Sequence, residues 1–438
     1  MTTKRTGLTR RAFLKGAGAA ALAAPTLIAG SALGLEGRPA PSNRITMASI
    51  GLGGEGLGKN TRAFCGQSDA QVLAVCDVDP QHLAEGKRVV EGAYAGAMKS
   101  GEYKGCDTYA DFRDVLARPD IDGVMISTPD HWHVPISLMA IRAGKDVQCE
   151  KPSLTIQEGR VLADAVRRRG TVFQWSTEDR AMGCHHRMAE LVRNGRIGKL
   201  QRITVGLPGG PGSPGNATPQ PVPPGFDYEM WLGPAPWAPY CSDRIHWNFR
   251  WINDYSGGML TDWGAHLLDT AQWGNDTEHT GPVEVEGVGK SHRDGLWNSF
   301  YEFQIRYRYA SGVEMLVKSG GVSLRFEGTD GWVGNNGWGG SAEASSPKIL
   351  GSAIGATETH LFTCPAGEHR NFLDCVKSRR APYFPAEIGH RCFTVLHIGN
   401  ISMWLGRKLG WDPAKEQFVN DAEADRYLAR SMRSPWRL

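Results

Sequence analysis

From residue 44 onward the chain alternates short apolar runs with longer amphipathic stretches, and that alternation predicts a fold. RITMASI is apolar up to Ile50 and stops at a cluster of glycines; QVLAVCDVD, DGVMISTPD and DVQCEKP are further runs of strand length. A helix is expected from about Val134 to Arg142, between the last two runs. Thr155-Ile-Gln-Glu158 has the spacing of a capping box and opens another helix to about Arg169. Strands alternating with helices at this pace predict βαβ units and a parallel sheet, whose ligands sit at the carboxyl ends of the strands. The second half has a different period. A short helix at residues 186–194 and a strand at 200–206 lead into a Pro/Gly-rich stretch, Pro208 to Tyr240. That stretch is too proline-rich for regular structure and too aromatic for an idle linker, so it reads as an active-site or assembly loop. Further on, Phe303, Ile305, Tyr307 and Tyr309 alternate with Gln304, Arg306 and Arg308, and Val313, Met315 and Val317 alternate back after Ser311-Gly312. This is a hairpin with one buried face. The Gly/Trp-rich piece GTDGWVGNNGWGG reads as a loop.

The start of the chain follows neither pattern. Residues 1–34 hold Lys4, Arg5, Arg10, Arg11 and Lys15, no acid, and an Ala/Leu-rich run from Ala17 to Ala29 ending in small residues. These are the parts of a signal peptide, and the adjacent arginines of TRRAFLKG mark the twin-arginine type, which exports folded proteins. The run is shorter than the roughly 20 residues a spanning helix needs. Cleavage is expected near Gly34, leaving no membrane segment in an exported, periplasmic protein. The whole chain has 49 Lys and Arg against 46 Asp and Glu; without the five basic residues of the signal, 44 face 46. The mature body therefore offers no whole-chain basic field for nucleic acid. Nine scattered cysteines with no CxxC give no disulfide framework.

The glycine cluster carries the first chemistry. Gly51, Gly53 and Gly56 have GxGxxG spacing between a strand and a helix, where backbone can approach a pyrophosphate and the helix N-terminus offers unpaired N–H groups. Asp77 lies 21 residues after Gly56, at the end of the next strand, where an acid accepts hydrogen bonds from ribose hydroxyls. Asp77 and Asp79 would repel a 2′-phosphate, so NAD is expected over NADP. Two other strand ends, Thr128-Pro129-Asp130-His131-Trp132-His133 and Glu150-Lys151-Pro152, complete the expected ligand edge.

At these residues the chain resembles the Gfo/Idh/MocA family of nicotinamide-dependent sugar oxidoreductases. The resemblance rests on GLGGEG, STPDHWH, AGKDVQCEKP and GGMLTDWGAHLLD, in that order, and the tail from Glu368 looks like bacterial members that carry export signals. It implies a fold of α/β plus α+β class: a Rossmann domain, then an α+β domain with an open, mostly antiparallel sheet. The expected division is a signal at 1–34, a Rossmann domain at 44–170, a substrate and oligomerisation domain at 171–405, and a tail at 406–438. The resemblance also implies a homo-oligomer. It makes Lys151 a catalytic lysine beside the nicotinamide, supported by Glu150. Thr128, Pro129 and His133 match the cofactor-side TPNxxH pattern, with Asp130 in place of its Asn. Asp262 and His266 match the second catalytic pair.

The spacing of that pair agrees. Asp262, His266 and Asp269 stand at i, i+4 and i+7, on one helix face, and an imidazole beside a carboxylate suits proton transfer near neutral pH. A polar seam between domains is the plainer reading of the same face. A metal is also conceivable from these ligand types, but no cysteine cluster or HExxH supports one, and none is expected. Among the tryptophans, Trp132, Trp231, Trp247 and Trp251 are candidates to stack on a sugar, and Arg250 to bond its hydroxyls or a carboxylate; burial in the core is an equally good account of each.

The expected activity is hydride transfer between a secondary alcohol of a sugar or polyol and a tightly held nicotinamide. Lys151 stabilises charge on the oxygen, and His266, oriented by Asp262, takes the proton. Folded export explains the tight hold, because NAD is scarce outside the cytoplasm. A trapped cofactor must return to its starting state in each cycle, through a second substrate or through a redox-neutral cleavage by way of a transient keto-sugar. An exported sugar-binding protein without catalysis is the alternative of a different class.

Overall fold

The structure, a computed structural model, describes residues 43–438, so the expected signal segment lies outside the described residues. Six strands form a parallel sheet: β1 (Ile45–Ile50), β2 (Ala70–Cys76), β3 (Asp107–Tyr109), β4 (Gly123–Ile126), β5 (Asp146–Glu150) and β6 (Phe173–Ser176). Their order is β3-β2-β1-β4-β5-β6, which reverses direction between β1 and β4 and opens a crevice at their carboxyl ends. β4, β5 and β6 are buried throughout, as expected for strands covered on both faces. The capping box is present: Thr155 Oγ1 accepts from Glu158 N at 3.1 Å, and Glu158 reaches back to Leu154 N at 3.2 Å. β6 lies beyond residue 170, the boundary expected from sequence, so the first half runs on through Ser176.

The second sheet has nine strands: β7 (Leu200–Leu207), β8 (Glu284–Lys290), β9 (Glu302–Arg308), β10 (Glu314–Ser319), β11 (Ser323–Gly328), β12 (Trp332–Asn336), β13 (Glu343–Ala344), β14 (Leu409–Asp412) and β15 (Gln417–Phe418). Their order is β13-β12-β11-β7-β10-β9-β8-β14-β15. Every neighbouring pair is antiparallel except β7 with β10. The hairpin is as the alternation predicts, with Met315 opposite Tyr307 and Val317 opposite Ile305, all four buried. Helices Gly183–Arg193, Gly264–Gly274 and Ala386–Leu405 cover that inner face.

Two expectations are corrected here. GTDGWVGNNGWGG contains a strand, β12, with Val333 and Asn335 turned inward; its glycines hid the alternation. The last 33 residues are no separate tail, because β14 and β15 extend the sheet edge. Helix Glu368–Ser378 returns to the first half, where Phe372 and Leu373 join the core around Met47, Phe64 and Val72. All nine cysteines are free thiols.

Candidate active site

β1 turns at Gly51, whose φ is +87°, a conformation glycine adopts without penalty. A Cβ on Gly51 would lie 2.6 Å from the Ser127 carbonyl carbon, and one on Gly56 would lie 2.1 Å from the Gly51 oxygen. The first and third glycines therefore let strand and helix approach. Gly53 is different: a Cβ there would meet nothing within 4 Å and would project into open space. It borders a cleft of about 600 Å³ at the carboxyl ends of the strands, together with Asp77, Lys151, Asp262 and His266. The helix over residues 54–65 begins directly after it. Asp77 is fixed by two backbone donors, Leu52 N at 2.7 Å and Asp79 N at 2.8 Å. A bare backbone cradle, a helix N-terminus and an anchored acid one strand away suit a dinucleotide, so the residues present fit NAD.

Thr128 and Pro129 border the same cleft. His133 is buried behind them, with Nδ1 2.8 Å from the Pro152 oxygen and Nε2 2.8 Å from the Thr128 oxygen. It ties the turn after β4 to the turn after β5. Asp130 is also buried and accepts from Ser256 Oγ at 2.6 Å; burial pushes its carboxyl up to about 7. Glu150 accepts from Asn60 Nδ2 at 2.9 Å, which joins the end of β5 to the glycine-loop helix.

Lys151 Nζ donates to the Asp262 main-chain oxygen at 2.9 Å and to its carboxylate at 2.6 Å. Burial works against the ammonium, but the carboxylates of Asp262 and Glu150 hold Lys151 above its ordinary value. Asp262 also accepts from Arg250 Nε at 3.2 Å, and against its burial the two cations hold it far below the carboxylate range. The guanidinium of Arg250 lies 4.1 Å from the Trp247 ring centre, at the cleft wall.

The expectation that Asp262 orients His266 is not met. His266 Nδ1 bonds Asp179 Oδ2 at 2.6 Å, and Asp262 is occupied by Lys151 and Arg250. Asp179 is fully buried and also accepts from Trp338 Nε1 at 2.9 Å and Thr177 Oγ1 at 2.5 Å. Burial opposes the charge on His266, and Asp179 outweighs it, so the imidazole is held above its ordinary value. With Nδ1 engaged, Nε2 is the nitrogen left to the cleft. Asp179 follows β6, and the rule that ligands gather at strand ends would have found it had β6 been recognised.

Asp269 is not at the site. It is completely buried and forms a two-pronged pair with Arg180, both bonds 2.7 Å, while Glu278 lies 2.7 Å from the same guanidinium. Its helix face lines the cleft at one end and runs beneath packed layers at the other. Replacing Asp269 by Ala leaves Arg180 buried with half its partners, so urea unfolding is expected to show a loss of about 3–5 kcal/mol. Trp132 borders the cleft but is 4 % exposed, and its Nε1 donates to the Met230 and Trp231 carbonyls at 3.1 Å, so its indole is engaged as a joint between elements. Trp251 is buried in the core and does not border the cleft, whereas Arg250, Trp231 and Trp247 do. Trp263 and Trp338, unnoticed in the sequence, also border it and flank His266 with ring centres 6.0 and 5.5 Å away.

The chain is similar to a glycosyl hydrolase family 109 protein of Shewanella pealeana, 34% identical over 175 residues, which is 37% of each chain. It is 24% identical to the D-glucoside 3-dehydrogenase of Escherichia coli over 233 residues, covering 53% of this chain and 54% of that one. The match thus spans about a third to half the length of these curated relatives. In fold it resembles the aldose-aldose oxidoreductase of Caulobacter crescentus, with a TM-score of 0.60 at 18% identity over 84% of this chain and 99% of that one. Residues 45–177 match the oxidoreductase family's NAD-binding Rossmann fold, and residues 212–438 match its C-terminal alpha/beta domain. The chain belongs to the Gfo/Idh/MocA oxidoreductase family.

Proposed function

We propose that this protein is an NAD-dependent oxidoreductase acting on a secondary alcohol of a sugar or polyol. The observation that carries the reading is the convergence of a charged lysine, Lys151, and a carboxylate-supported histidine, His266, on one cleft with the glycine loop. Gly53, in the loop that the close packing at Gly51 and Gly56 shapes, would face the pyrophosphate, and Asp77 would hold the ribose. When bound, NAD would supply the hydride acceptor for the carbinol carbon, and in its reduced form the hydride donor for the reverse direction. Lys151 keeps its charge across the neutral range and has a donor beyond the two Asp262 takes, so it stabilises negative charge forming on the substrate oxygen. His266 Nε2 takes the hydroxyl proton, with Asp179 fixing the ring and stabilising the imidazolium. Trp247, Trp263 and Trp338 give the cleft the aromatic walls a sugar ring packs against.

The likeness to glycosyl hydrolase family 109 favours one second reading. Oxidation beside a C–H bond acidifies it, so the same lysine and histidine also serve a redox-neutral glycoside cleavage. We place the protein outside the cytoplasm on the strength of its twin-arginine segment, with the cofactor carried inside. The test is to incubate the protein with C-deuterated sugars and glycosides without added NAD, and to follow the label by mass spectrometry. Label appearing in a second, reduced sugar is the expected result. Free aglycone with the sugar at its original oxidation level selects the cleavage, and no transfer under any pairing removes both.

A further inference from the structure

Residues 208–258 connect β7 to helix Met259–Asp262, and on the way they cross to the Rossmann half. At the Asp77 end of the cleft, Asp227 N donates to the Val78 oxygen at 3.0 Å. Gly225, at φ +80°, packs so close to Pro80 that a Cβ would stand 3.3 Å from its ring. His246 approaches the same end, its Nε2 3.5 Å from Asp79 and its ring centre 4.9 Å from that of His82. The turn His246–Trp251 then runs along the cleft, placing Arg250 against Asp262 at the Lys151 end. The glycine loop and this turn both line the cleft.

A second set of contacts fastens the crossing segment. The carbonyls ending helix Tyr228–Leu232 are held by Trp132, and His131 Nε2 lies 3.0 Å from the Trp231 oxygen. Gly233, at φ +48°, lies flat on Trp132; a Cβ would come within 2.0 Å of the indole. Over this joint lie residues 429–436. Arg433 N donates to the Pro234 oxygen at 2.8 Å, its Nε to the Gly233 oxygen at 3.0 Å, and its guanidinium pairs with Glu229. Trp436 packs edge-on against Trp132 with ring centres 4.7 Å apart, and Arg430 donates to the Asn253 oxygen.

We propose that residues 208–258, pinned by the Arg430–Trp436 segment, form a fixed roof over the Asp77 end of the cofactor cleft, and that this roof retains NAD between turnovers. The inference rests on the nicotinamide reading above. Release requires the roof to lift, and lifting breaks backbone hydrogen bonds, a buried indole joint and the Arg433 clamp together. The cost falls on dissociation, the step where most affinity differences between variants appear.

The experiment uses the full chain, loaded with the fluorescent analogue etheno-NAD and chased with excess NAD. The variants are the double substitution Arg433→Ala/Trp436→Ala and, separately, His246→Ala at a half-exposed position; thermal unfolding confirms that each is folded. The roof predicts slow release from the wild type and release at least about tenfold faster from the variants, with etheno-NAD still able to bind. Equal release rates in all three proteins overturn the roof and leave the oxidoreductase reading standing. A wild type that neither carries nor binds nicotinamide nucleotide overturns both.

Discussion

Lys151→Ala is expected to lower kcat/KM by at least about a thousandfold while NAD binding is retained, since a preorganised charge at a developing oxyanion is usually the largest single contribution to such a rate. The substitution spares the fold for a structural reason: Asp262 keeps Arg250 at 3.2 Å, so no buried carboxylate is stranded. The same geometry excludes Lys151 as the proton acceptor. Burial acts against its charge but is outweighed by Asp262, and a lysine held above its ordinary value does not titrate near neutrality. A steady-state assay paired with an NAD titration checks both halves. Activity within tenfold of wild type, or lost NAD binding, contradicts the role.

Asp179→Asn is expected to be nearly as damaging and to move the pH profile. His266 is held above its ordinary value by Asp179 against burial. In alcohol oxidation the neutral ring is active, so wild-type kcat/KM should fall as pH drops through that raised value. Removing the carboxylate leaves burial dominant; the limb then moves to lower pH. The rate falls by roughly 10³-fold for a second reason. Asparagine can turn its amide N–H toward Nδ1, leaving the ring protonated on Nε2, the nitrogen that must accept the proton. In the reductive direction the protonated ring is the active form, so the limb appears on the alkaline side. If Asp179→Asn lowers the rate with no displacement of either limb, His266 is not the titrating group.

The first half was legible because each strand ends in chemistry. Gly51, Asp77 and Lys151 all sit where an apolar run stops, and backbone geometry alone carries them to one edge. The second half was legible in period but not in pairing. The i, i+4 spacing brought Asp262 and His266 to one cleft, yet carboxylates choose partners by tertiary proximity of cations. Lys151, 111 residues away in sequence, took Asp262, and Asp179 took His266. The helix is interrupted at Trp263 between them, which a spacing argument does not register. Trp132 and Trp251 were unreadable for another reason: an indole serves equally as wall or as joint, and only its neighbours decide.

The place of β7 in the second sheet bears on how the protein comes to be folded. It lies between β10, its one parallel neighbour, and β11, although more than a hundred residues separate β7 from β10. β7 can pair with neither until the intervening chain has been gathered in, and pairings of such long range make folding slow. The segment that roofs the cleft is part of that gathered chain, held at both ends once β7 is seated. Seating β7 is thus the step that converts a loose excursion of about fifty residues into an arch of fixed span.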